Sequence, residues 1–178
     1  MKKSLIAAGA ASLAVAAMPV VGVFADNITT MTDSITVTVE SSCTFDAASH
    51  SHSKTMTANK AEDVGTTTMK VTCNDYQGYT VTGTFIDLSG DGGNKLTFTN
   101  AAPTAGNSNW AAYSTPTIDG TAGTPAYLTN NGEVIKNTKQ TIAAGDTASI
   151  VYKASTANNQ AAGAYTGTAT YTLTKATH

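Results

Sequence analysis

The sequence predicts an all-β protein, an antiparallel β-sandwich of about seven to nine strands. Three observations predict it. Apolar and polar residues alternate with period 2 in segment after segment, and no stretch after residue 25 carries helical periodicity. Thr fills the outward position of nearly every such segment; 33 Thr occur, all after residue 25. Its branched Cβ suits a pleated, half-wet surface, and its hydroxyl stays solvated there. Turn signals rich in Gly, Asn and Asp separate the segments at short intervals.

The elements follow in chain order. In "SITVTVE", Ile35, Val37 and Val39 share one face and Thr36 and Thr38 the other. "CTF" continues this strand past a kink at Ser41-Ser42, and "KTMTA" is a short candidate. "TTMKVTC" sets Thr67, Met69, Val71 and Cys73 against Thr68, Lys70 and Thr72. "YTVTGTFIDL" places Tyr79, Val81, Gly83 and Phe85 together, and "KLTFT" offers Leu96 and Phe98. "ASIVYKA" offers Ala148, Ile150 and Tyr152. The closing segment, Ala164–Thr174, puts Tyr165, Tyr171 and Leu173 on one side with no charge anywhere along it. Such a neutral strand is a poor exposed edge, so it is expected to be paired inside a sheet. "NDYQG", "SGDGGN" and "AAGD" supply the reversals. Residues 100–131 hold Pro103, Pro116 and Pro125 and read as a loop-rich insertion with short strands near Trp110 and Tyr127.

Residues 1–25 read as a cleaved signal peptide, and 26–178 as a single domain. Lys2 and Lys3 precede the apolar run "SLIAAGAASLAVAAMPVVGVF", and the small residues ending at Ala25 fit a cleavage site. A retained anchor is the competing reading. After residue 25 there are 8 Lys, 12 acids and no Arg, a formal charge of −4. Nucleic-acid binding needs clustered cations, so that class is excluded, and no membrane association is expected of the mature form. Behind a signal peptide, Cys43 and Cys73 are expected to form one disulfide; free buried thiols are the alternative.

Two stretches resemble known families. "MKVTCNDYQGYTVTGTF" is similar to the strand–turn–strand around the second Cys of bacterial pilin-like and spore-coat-U-like domains. "QAAGAYTGTATYTLT" resembles the closing strand of those domains and of WxL-type surface domains, in degenerate form: the chain reads Tyr171-Thr172-Leu173 and Trp110-Ala111-Ala112 where Trp-x-Leu would stand. The resemblance implies a secreted surface protein with an Ig-like, Greek-key β-sandwich fold. Its pilin-like side implies an alternating N-terminal extension, which "ITTMTDSITVTVESSC" matches; its WxL-like side implies attachment to the cell wall. The spacing from Gly163 to Tyr165 also resembles a tyrosine corner.

Chemistry-bearing patterns are few. Asp87, Ser89 and Asp91 at i, i+2 and i+4 before Gly92 match the first ligands of a calcium loop, but Phe98 stands where its Glu should, and a hairpin turn explains the same residues. His50 and His52 with Asp46 could hold zinc, yet a solvated loop explains "AASHSHSK" as well. No cofactor and no metal is expected. No hydrolase motif occurs, and catalytic residues are expected to be none. Trp110, Tyr113 and Tyr127 could form a platform for sugar rings or peptides, against ordinary core filling. The combined expectation is a non-enzymatic bacterial surface protein, extracellular or cell-surface associated. Its role would be structural or adhesive, by self-association or by binding a surface or cell-wall ligand. A wall- or carbohydrate-binding module and a small secreted hydrolase are the alternatives.

Overall fold

A computed structural model describes residues 34–46 and 50–177. The signal peptide at 1–25, cleavage after Ala25 and the domain start at 26 lie outside the described residues. Eleven strands and one 3-10 turn (Asp91–Gly93) occur, with no α-helix among the described residues. The strands are β1 (Cys43–Phe45), β2 (Ala61–Cys73), β3 (Tyr79–Phe85), β4 (Leu88–Ser89), β5 (Lys95–Phe98) and β6 (Asn109–Ile118). They continue with β7 (Thr121–Ala122), β8 (Ala126–Tyr127), β9 (Gly132–Asn137), β10 (Asp146–Ser155) and β11 (Ala169–Lys175).

They form two sheets. The larger runs β1-β2-β10-β6-β5-β4, with β7 and β8 paired onto β6; the smaller runs β11-β3-β9. Pairing is antiparallel except between β5 and β6, where Thr97 meets Asn109 and Phe98 meets Trp110 in parallel. The larger sheet is therefore mixed, which corrects the expectation of a purely antiparallel fold. The reason is the link between the two strands. A two-residue hairpin would force antiparallel pairing. Here a wide turn from Thr99 to Ser108 brings the chain back to the same end of the sheet, with Thr97 N–H donating to Ser108 O at 3.0 Å.

The period-2 reading places the core. Met69, Val71 and Cys73 of β2, Tyr79, Val81 and Phe85 of β3, Leu96 of β5 and Ala148 and Ile150 of β10 are buried, as their parity requires. Side chains of both sheets join in one cluster with Trp110, Leu128, Val134 and Ile135. Cys43 and Cys73 sit directly opposite each other in the β1–β2 ladder and are bonded. Gly78, at φ 81°, makes the reversal between β2 and β3; a Cβ there would meet Asn137 O at 2.0 Å.

Three segments differ from the sequence reading. Residues 100–131 are more than a loop-rich insertion. They contain the ten-residue β6, which pairs along β10 from Asn109 to Thr117 at the centre of the larger sheet. The prolines did not prevent this, because Pro116 lies near the end of β6 and Pro103 and Pro125 lie outside any strand. "KTMTA" is not a strand. Nor is "SITVTVE": residues 34–40 form no strand with any described residue, and Ile35, Val37 and Val39 are 86, 80 and 78% exposed. Alternation gives a strand its faces, but a strand also needs a partner for its backbone groups.

Candidate functional site

The site is the outer edge of β11 and the faces beside it. β11 pairs with β3 along its whole length, from Ala169 opposite Phe85 to Lys175 opposite Tyr79. It ends the three-stranded sheet, so no ladder forms on its other side among the described residues. The expectation that Ala164–Thr174 is paired inside a sheet is thereby corrected. The strand is shorter, begins at Ala169 and is an edge. Residues 164–168 form no strand; they pair only at the Ser89–Thr166 bridge to β4 of the larger sheet, and Tyr165 packs against the core. The strand alternates as expected: Ala169, Tyr171 and Leu173 pack half-buried against the core, while Thr170, Thr172 and Thr174 are exposed.

Comparison of the sheet edges singles β11 out. Natural edges are blunted by shortness, charge or bulges. β1 has three residues and β4 two. β9 carries Glu133 and Lys136, and its ladder is irregular between Val81 and Thr82. β11 has seven residues and no charge before Lys175. A groove of about 640 Å³ runs beside its C-terminal half, lined by Asp75 and residues Leu173 to Thr177. At that end the Lys175 Nζ donates to Ser41 O and Oγ at 3.3 and 3.0 Å, which ties β11 to the residues just before β1.

Polar links hold the small sheet on the large one: Ser114 Oγ of β6 donates to Val134 O of β9 at 3.4 Å, and two others involve phenols. The Tyr171 and Tyr152 hydroxyls meet at 2.8 Å, joining β11 to β10, and burial pushes the Tyr171 phenol well above its usual range. The second link centres on Asp146 of β10, which is fully buried. Its Oδ2 accepts from Tyr79 OH of β3 (2.7 Å) and Asn137 Nδ2 of β9 (2.9 Å), and its Oδ1 from Asp119 N–H (2.7 Å). Burial and the Asp146 contact push the Tyr79 hydroxyl well upward. Lys139, 2.9 Å from Asp119, holds that carboxyl below the usual range. The sequence places Tyr79 only by its parity on the strand, and it does not single out Asp146, whose one signal is its position directly after the glycine of "AAGD".

The remaining candidate residues fall as follows. Trp110 is 4% exposed; it packs against Phe85 and Phe98 and donates its Nε1–H to Ile86 O at 3.1 Å. Tyr113 and Tyr127 are cross-strand partners with ring centroids 4.8 Å apart. They have the opposite parity to Trp110 on β6, so the three do not form one platform. Asp87 Oδ1 accepts from Phe98 N–H at 3.0 Å and its Oδ2 lies 3.7 Å from Lys95. Ser89 exchanges backbone bonds with Thr166, and Asp91 opens the 3-10 turn. His52 Nε2 is 2.7 Å from Thr67 Oγ1 and its ring packs on Tyr152, while His50 is exposed. Asp46 uses its N–H on Lys70 O. Among the described residues no three His, Cys, Asp or Glu gather as metal ligands. The Tyr165 hydroxyl donates to Ala161 O at 2.8 Å, the bond a tyrosine corner makes.

Comparison with known proteins found no matching family model, no matching curated relative and no matching solved structure.

Proposed function

We propose that this chain is a secreted, non-enzymatic bacterial surface protein of the Ig-like, pilin-like kind. Its structural role is to assemble with copies of itself by strand addition: the segment from Ser34 to Glu40 of one copy pairs along the free edge of β11 of another. One observation carries the reading. Among the described residues, a seven-residue segment with exposed Ile35, Val37 and Val39 and no partner strand coexists with a seven-residue strand that forms no ladder on its outer edge.

The patterns match in detail. On β3 and on β11 up to Leu173 the odd-numbered residues turn inward and the even-numbered ones are Thr; in 34–40 the odd-numbered residues are Ile35, Val37 and Val39, with Thr36 and Thr38 between them and Ser34 and Glu40 at the ends. Laid beside β11, the segment would place three apolar side chains over the core margin and Thr36 and Thr38 with the outer Thr residues. Fully burying each apolar side chain would contribute about 1.5–3 kcal/mol. Association costs about 4–15 kcal/mol in lost freedom. The gain is thus of the same order as the cost, and the ladder hydrogen bonds tip the balance. Assembly is therefore concentration-dependent. The Cys43–Cys73 bond suits an oxidising compartment and fixes β1 immediately after the donated segment.

Sedimentation of the full secreted chain over a wide concentration range tests this. The wild type should shift to larger species as concentration rises, and Val37→Lys should stay monomeric. A wild type that is monomeric throughout, or a Val37→Lys variant that assembles equally well, would refute strand addition.

A further inference from the structure

Ser41 and Ser42 are clamped at the C-terminal end of β11. Asn74, in the reversal after β2, accepts the Ser42 N–H on its Oδ1 at 2.6 Å. Its Nδ2 donates to Glu40 O and its N–H to Ser42 O, both at 3.1 Å. From β11, Lys175 Nζ donates to Ser41 O and Oγ. The disulfide then fixes Cys43 opposite Cys73 on the larger sheet. The clamp thus sets where the chain enters the fold: beside the last residue of β11, whose outer edge carries no ladder among the described residues.

We infer that residues 34–40 cap the outer edge of β11 in their own chain, as a parallel strand, and that this closed form is the resting state from which strand addition starts. The inference takes its segment and its edge from the proposed strand addition and supplies the regulation. Direction follows from the clamp. β11 runs from Ala169 to Lys175 and ends beside Ser41. A segment that reaches Ser41 along that edge runs the same way, so the pairing is parallel. Register follows as well. With Ser41 level with Lys175, Val39 falls beside Leu173, Val37 beside Tyr171 and Ile35 beside Ala169. These three β11 residues turn to the core but are only half-buried, whereas Tyr79, Val81 and Phe85 of β3 are 1, 0 and 2% exposed. The closed segment covers that open margin with its apolar side chains. Thr36 and Thr38 fall beside Thr170 and Thr172 on the wet face. A one-residue slip would reverse every one of these placements.

Tethering decides between closure and a second copy. The short link holds the segment at an effective concentration on the order of millimolar, so dilute copies close on themselves. Parallel pairing is slightly weaker per residue than antiparallel pairing. A segment from another copy is free of this clamp and can add in the antiparallel sense. High concentration therefore displaces the closed form, and assembly waits on its release.

Amide hydrogen exchange of the full secreted chain, diluted until it sediments as a monomer, tests this. Amides of residues 35–39 should exchange at least about tenfold slower than in a free peptide of the same sequence. Val37→Lys should return them to the free rate. Under mild oxidation, Thr36→Cys with Thr170→Cys should link within one chain, mapped without reduction beside the native Cys43–Cys73 bond. Thr36→Cys with Thr174→Cys is about 13 Å out of register and should not link. Free-peptide exchange in the wild-type monomer, protection unchanged by Val37→Lys, a 36–170 bond found only between chains, or equal linking of both pairs would overturn the inference. Strand addition is judged separately, by sedimentation at high concentration. A protected monomer that never assembles refutes strand addition alone. An assembling chain with an unprotected monomer refutes the closed form alone.

Discussion

The Tyr79 hydroxyl donates to the fully buried Asp146 carboxyl group at 2.7 Å, and this bond ties β3 of the small sheet to β10 of the large one. Removing Asp146 leaves the Tyr79 hydroxyl and the Asp119 N–H without their acceptor inside the protein, and the Asn137 amide with only its longer bond to Asp119 Oδ1 at 3.3 Å. Asp146→Ala should destabilise by about 3–5 kcal/mol. Tyr79→Phe leaves Asp146 with its other two donors and should cost about 1.5–3 kcal/mol. Urea titrations of the two variants check the order, and equal effects below about 1 kcal/mol would contradict the link.

Alkaline pH should weaken the fold through Tyr79 and Tyr171. Burial raises both phenols above their ordinary value of about 10. Above that pH the unfolded chain loses phenolic protons that the folded chain keeps. The unfolded state then binds fewer protons, so stability falls as pH rises. Each phenol adds about 1.4 kcal/mol per pH unit to the slope. Tyr171→Phe should remove one such step, which chemical denaturation across the alkaline range would reveal as a shallower loss.

On β11 the two faces should respond differently. Leu173 is half-buried against the core, so Leu173→Ala should cost about 1–2.5 kcal/mol. Thr172 is exposed, and Thr172→Ala should stay within about 0.5 kcal/mol. Titrations at two protein concentrations check this, with the Leu173→Ala effect growing where copies assemble. Equal, small effects for both would mean that β11 is not anchored.

The disulfide should contribute substantially. Cys43 and Cys73 close a loop over a sequence separation of 30, worth about 3–4 kcal/mol in the chain-entropy account. A Cys43→Ala, Cys73→Ala double variant should lose that much in thermal or urea unfolding. Non-reducing peptide mapping of the wild type should recover the two cysteines as one linked pair.

What the sequence by itself determined is the parity of the strands whose alternation it shows; β9 (Gly132–Asn137) and the faces of β6 were not among them. Met69, Val71, Val81, Phe85 and Ile150 face inward because side chains alternate along a pleat, and that rule needs no knowledge of neighbours. It also pointed to a Cys43–Cys73 bond, with free thiols as the alternative that the structure removed, and to the turns at Gly78 and Gly145, where φ is positive. The tertiary structure decided which strand lies beside which. Alternation in Ile35–Val39 and in Ala169–Thr174 reads alike. Yet the first has no partner strand and the second has one on a single side, because pairing depends on segments far away in the chain. The same holds for Trp110. Its parity on β6 separates it from Tyr113, but only the arrival of Phe85 and Phe98 made it core. Asp146 was invisible for a related reason. A buried carboxyl group is stable only where donors converge on it, and Tyr79, Asn137 and Asp119 converge from three separate parts of the chain.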